Sequence, residues 1–167
     1  KDAAKKYFDE FEKVILKANK LNKKISAMIF EPIISCGGQI EMPDSFLKNC
    51  KKVLDKYNIL LIADEVQTGF GRVGEKFWGF ELHDVIPDIV TLGKPMGNGH
   101  PIGAVVCTNE ISKKFDNGLE FFSSFGGNPV SCIIANEVLN EIENKNLQEN
   151  AQRTGSYLKN ELKKLSK

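Results

Sequence analysis

Histidine is scarce in this chain and the cysteines are scattered. Only His83 and His100 could join Cys36, Cys50, Cys107 and Cys132, which form no C-x-x-C pair. A tetrahedral metal site needs closely spaced sulfur and nitrogen ligands, so no metal is expected. Buried or free thiols in a reducing compartment are expected instead, with the cytoplasm as the location and the mitochondrion left open. Net charge is only +1. That removes the electrostatic basis for binding nucleic acid or an anionic membrane. No apolar run approaches the roughly 18 residues that span a bilayer. The first residues, Lys1-Asp2-Ala3-Ala4-Lys5-Lys6, hold no apolar core and do not read as a signal peptide. The chain also lacks an initiator Met and a low-complexity tail. It is expected to be part of something longer.

What is present is ordinary globular material. The 167 residues, 41% apolar and 27% charged, suffice for a domain with a real core. From about residue 2 to 21, Tyr7, Phe8, Phe11, Val14, Ile15 and Ala18 draw one stripe on a helix. Ser26 to Ile34 reads as a buried strand, with Pro32 ending the ladder because it has no N–H. Ser35 to Gln39 reads as a loop. Asp44 is the expected cap of a helix to about Tyr57, with Phe46, Leu47, Cys50, Val53 and Leu54 inward. A strand from Ile59 to Gln67 follows at once. This αβαβ alternation builds a parallel sheet with helices outside.

The stretch Ile59-Leu60-Leu61-Ile62-Ala63-Asp64-Glu65 is the centre of the reading. An apolar run of this kind fits a strand buried on both faces. It closes on two acids, and a buried carboxylate needs a cation or a donor as partner. A second strand, Asp88 to Leu92, delivers Gly93-Lys94-Pro95 in the same manner. Ligands bind at strand ends in open α/β sheets, so Asp64 and Lys94 read as two halves of one site. The connection from Gly93 to Gly103 is too short for a crossover helix, so the strand Ala104 to Thr108 is expected to run antiparallel. Ser123 to Pro129 reads as a tight loop opening a helix, and a last helix carries Leu147 to Leu165.

Three chemistries compete for these residues. Gly69-Phe70-Gly71-Arg72-Val73-Gly74 fits G-x-G-x-x-G, but no helix is signalled at its third glycine, so a tight turn is preferred to a dinucleotide site. The apolar run ending in Asp64 imitates a nucleotide triphosphatase, but Lys94 is followed by Pro95 with no hydroxyl. Pyridoxal phosphate suits the set better. It needs a lysine amine, a carboxylate against the ring nitrogen and donors for its phosphate. Lys94, Asp64 and the Ser123–Pro129 loop offer all three. The plain alternatives are a salt-bridged Asp64 and a solvated Lys94.

The residues Asp64-Glu65-Val66-Gln67-Thr68-Gly69-Phe70-Gly71-Arg72-Val73-Gly74, Pro87 to Pro95 and Phe125-Gly126-Gly127-Asn128-Pro129 resemble the signature of class III pyridoxal-phosphate aminotransferases. The resemblance covers nearly the whole chain. It implies a fold type I α/β large domain: a mixed, mostly parallel sheet with helices on both faces. Residues 1–140 would belong to it, and residues 141–167 would begin a smaller C-terminal domain. It implies pyridoxal 5′-phosphate as cofactor, a small amine or amino acid and a 2-oxo acid as substrates, and a homodimer with shared sites. By matching position, Lys94 would form the Schiff base and shuttle a proton. Asp64 would pair with the ring nitrogen, Val66 would pack under the ring, and Gln67 would reach the ring hydroxyl. Ser124 would contact the cofactor phosphate of the neighbouring subunit, and Glu31 would lie on the substrate side.

One departure concerns Ser35-Cys36-Gly37-Gly38-Gln39. Many family members carry a glutamate where Cys36 stands, and there it gates a substrate-binding arginine. This segment and Gly97-Asn98-Gly99-His100-Pro101 are similar to the alanine–glyoxylate aminotransferase-like branch, which includes ethanolamine-phosphate phospho-lyases. Amino transfer is therefore the expected activity and elimination of phosphate the alternative. Family members are much longer, so a piece that acts only as a scaffold, without activity of its own, is the remaining expectation.

Overall fold

The apolar stripes and runs close over one another as their periods require. In the computed structural model, residues 3–165 are described; Lys1 and Asp2, part of the polar N-terminus, lie outside them. Helix α1 (Ala3–Lys20) buries Ile15 and leans Phe8 and Phe11 on the core. Strand β1 (Ala27–Phe30) leads through a two-stranded hairpin, β2 (Ile33–Ile34) and β3 (Ile40–Glu41), to helix α2 (Phe46–Lys56). Strands β4 (Leu60–Asp64), β5 (Ile89–Leu92) and β6 (Ala104–Cys107) complete the main sheet. Helices α3 (Asn109–Phe115), α4 (Pro129–Asn144) and α5 (Leu147–Leu165) follow.

The sheet order is β1-β4-β5-β6, with β1, β4 and β5 parallel and β6 antiparallel to β5. The mixed, mostly parallel α/β sheet expected from the sequence is therefore present, including the antiparallel return after Lys94. Leu47, Cys50 and Leu54 of α2 and Leu61 and Ala63 of β4 are fully buried and form the centre of the core with Phe30 and Ile59. Each such Leu contributes about 1.5–3 kcal/mol by leaving water.

Four local expectations give way to observed detail. The strand expected from Ser26 to Ile34 breaks at Glu31-Pro32, and its last residues pair with β3 instead. The strand expected to run to Gln67 stops at Asp64. There the Asp64 side chain accepts the Val66 N–H at 3.0 Å, an Asx turn that takes the backbone out of the ladder. Only alternate β4 residues, Leu61 and Ala63, are buried; Leu60, Ile62 and Asp64 are half-buried. Asp44 does not cap α2. The Phe46 N–H bonds to Pro43 O at 3.1 Å, and Ser45, at φ 63°, takes the capping position without a side-chain bond. Helix α3 carried no signal in the sequence that stood out.

Candidate active site

Parallel pairing brings three chain segments out at one sheet edge. Phe30 of β1 is in register with Ala63 of β4, and Asp64 with Thr91 of β5. Glu31 therefore leaves β1 beside Asp64, and Gly93-Lys94 leaves β5 on its other side. Asp64 Oδ1 is held by the Val66 N–H, while no bond engages Oδ2 among the described residues. Lys94 opens a single 3₁₀ turn, Lys94–Met96, and is exposed. Its Nζ has no hydrogen bond or ion pair among the described residues.

Val66 and Lys94 are linked through Gly93. A Cβ at Gly93 would sit 3.3 Å from both Val66 methyls, so the valine closes directly on the backbone preceding the lysine. Gln67 Nε2 lies 3.6 Å from Cys36 Sγ, which brings the β2–β3 loop over the same edge. Glu31 Oε2 accepts both the hydroxyl of Ser35 at 2.8 Å and its N–H at 3.1 Å. These bonds, with a further pull from the Lys94 charge, hold the Glu31 carboxyl below its ordinary range. Glu31, Cys36, Asp64, Val66, Gln67 and Lys94 are thus gathered at one edge. Ser124 is not. It lies in an exposed loop ahead of α4, and no hydrogen bond joins it to the others. The α4 start is built as expected, with the Asn128 side chain accepting from Ser131 N at 3.0 Å.

The glycine-rich stretch after Asp64 opens no helix. Gly71 and Gly74, at φ 74° and 80°, turn the chain against α5, and a Cβ at Gly74 would come within 2.7 Å of the Gln152 backbone. Phe70 and Phe77 each meet Trp78 edge to face beside it and are tilted against one another, with centroids 4.8–5.8 Å apart. This is the tight turn, not a dinucleotide site.

Sequence reasoning missed Glu65 as a separate element. It is 0% exposed and accepts from Thr68 Oγ1, Gly79 N and Phe80 N at 2.8–2.9 Å. Alternation was the available signal: in the longer strand expected from the sequence, Asp64 and Glu65 would face opposite sides and serve different partners. Among the described residues, no group of three His, Cys, Asp or Glu is placed to hold a metal ion, and no helix is long and apolar enough to cross a membrane.

The family model for aminotransferase class III matches residues 1–167. The chain belongs to the class III aminotransferase family. It is 44% identical over 156 residues to human mitochondrial alanine–glyoxylate aminotransferase 2, covering 93% of this chain and 30% of that protein. It is 38% identical over 167 residues to ethanolamine-phosphate phospho-lyase homolog 1 of Caenorhabditis elegans, covering 99% of this chain and 36% of the relative. A solved Arthrobacter phospholyase in complex with phosphoethanolamine superposes with a TM-score of 0.92 at 34% identity, over 97% of this chain and 38% of that one. The chain thus spans about a third of the length of these relatives. The fold is that of solved transaminases and phospholyases.

Proposed function

We propose that this chain carries the cofactor-binding core of a pyridoxal 5′-phosphate enzyme that moves an amino group from an amine or amino acid to a 2-oxo acid. The observation that carries the reading is the placement of Lys94, with no hydrogen bond or ion pair to its Nζ among the described residues, at the strand end next to the one that closes on Asp64. The donor set fits the cofactor: an amine for its aldehyde, a carboxylate for its ring nitrogen, a valine for its ring face and an amide for its hydroxyl.

When bound, the cofactor supplies an electron sink for the charge left when a substrate carbon loses its proton. Lys94 would hold the cofactor through its amine, yield that place to the substrate amine, and then carry the proton on Nζ. Asp64, pinned by the Val66 N–H, would keep a proton on the ring nitrogen by its negative charge. Val66 would support the ring, and Gln67 would donate to its hydroxyl. Glu31, ionised, would face the substrate amine. Cys36 would line the same side, beside Gln67. Ser124, on a loop exposed in this chain, would reach the cofactor phosphate of a second copy, in a homodimer with shared sites. Residues 1–140 would form part of the large domain and residues 141–167, the end of α4 and all of α5, the start of a smaller C-terminal domain. The free thiols fit a reducing compartment, cytoplasmic or mitochondrial.

A second reading, elimination of phosphate from a phosphorylated amine, is favoured by the likeness to the Arthrobacter phospholyase and by Cys36 at the position of the family's glutamate. The test supplies the whole protein with pyridoxal phosphate and either an amine with a 2-oxo acid or phosphoethanolamine. Conversion of the 2-oxo acid to its amino acid, with the donor left as a carbonyl compound, supports amino transfer. Phosphate release alone selects elimination. Neither product overturns both, and leaves the chain a scaffold.

A further inference from the structure

We infer that Glu65 is a positioning residue that sets Asp64 and Glu31 relative to Lys94. The inference rests on the reading of Asp64 and Lys94 just given. The Glu65 side chain is completely buried, and its partners are neutral donors. Oε2 takes the Thr68 hydroxyl at 2.8 Å and the Gly79 N–H at 2.9 Å, and Oε1 takes the Phe80 N–H at 2.8 Å. A buried carboxylate held this way is an organiser of backbone, because every donor it satisfies would otherwise be stranded.

Three site segments converge on this residue. Its own N–H donates to Thr91 O at 3.0 Å, which ties the end of β4 to the strand that delivers Lys94. Its carbonyl accepts Gly69 N–H at 3.0 Å and closes the turn that carries Val66 and Gln67. Its side chain anchors the 3₁₀ helix Gly79–His83. That helix in turn holds the segment after Glu31. His83 Nε2 lies 2.8 Å from Pro32 O, and a Cβ at Gly79 would come within 2.8 Å of both Pro32 and Thr68. Asp64 precedes Glu65 directly, so a rotation of the Glu65 backbone carries the Asp64 carboxylate with it.

A Glu65→Gln substitution keeps the shape but turns an amide N–H₂ against one of the backbone donors. The test is a double-mutant cycle in the whole protein, read as pyridoxal-phosphate affinity by equilibrium titration. Glu65→Gln should weaken binding about tenfold when Asp64 is present and by less than about twofold in an Asp64→Asn background, because coupled residues are non-additive. Glu65→Gln should also shift the pH profile of the bound cofactor's absorbance in the same direction as Asp64→Asn does, which a purely structural loss would leave in place. Thr68→Val, which removes one donor and keeps the volume, should give a weaker version of the same pattern and decides the matter if Glu65→Gln does not fold. Additive effects in these cycles, with the wild type binding normally, overturn this inference alone. A wild type that does not bind pyridoxal phosphate overturns the functional reading as well.

Discussion

Gln67 Nε2 and Cys36 Sγ lie 3.6 Å apart, so two loops that leave different strands meet over one sheet edge. The contact puts an exposed thiol beside a residue proposed to hold the cofactor's hydroxyl. A group added to Cys36 would stand over the site.

Thiol chemistry should therefore discriminate among the cysteines. Cys36 and Cys132 are exposed, whereas burial pushes the Cys50 thiol up to about 12. Alkylation at about pH 8, mapped by mass spectrometry, should label Cys36 and Cys132 and spare Cys50 in the folded protein. Labelling of Cys50 at the same rate as Cys36 would contradict the burial described for α2.

Glu31 gives a pH-dependent expectation. The Ser35 hydroxyl, then its N–H, and then Lys94 hold its carboxyl below the ordinary 4.5. Ser35→Ala removes the largest cause, so the Glu31 pKa should rise toward that value in a carboxyl NMR titration. A depressed acid stabilises the folded state above its unfolded pKa and loses that contribution as pH falls through the folded value. The variant should accordingly melt below wild type near neutral pH. The two melting temperatures should converge at pH values under the wild-type Glu31 pKa. A gap that persists unchanged in acid would mean the hydroxyl acts through something other than this carboxylate.

Gly79 tests the packing beneath the site. A methyl there meets Pro32 and Thr68 side chains at 2.8 Å. Gly79→Ala should lower unfolding stability by roughly 1–3 kcal/mol in a denaturant titration, as overpacking does. An unchanged midpoint would show that Glu65 and its backbone partners do not hold this helix tightly.

Much of this was legible in the chain itself, for physical reasons. The 3.6 period of α1 and α2 and the apolar run of β4 are strong signals because burial enforces them. The shortness of Gly93–Gly103 dictated the antiparallel β6. Asp64 and Lys94 stood out because an acid and a lysine at strand ends have few structural uses, whereas Glu31, Cys36, Val66 and Gln67 were named through the resemblance. The exact ends were not legible. Asp64 stops its strand by bonding the Val66 N–H, a local competition that apolar periodicity does not report. Glu65 was hidden by its neighbour, since its donors come from Gly79 and Phe80, far along the chain. Ser124 is exposed on its loop in a single chain, and the resemblance singled it out within the Ser123–Pro129 loop.

Lys94→Ala should remove turnover, by at least the roughly 10²–10⁴-fold that a positioned proton-transfer group supplies. Product formation by the whole protein, with and without the substitution, measures this. Activity equal to wild type would end the role given to that amine.

The most direct measurement of the central claim is covalent trapping. The whole protein is mixed with pyridoxal phosphate, reduced with borohydride, digested and mapped. The account predicts that the cofactor is fixed on Lys94, at about one per chain, the amine best placed for its aldehyde. Labelling spread over surface lysines, or absent at Lys94, would contradict it.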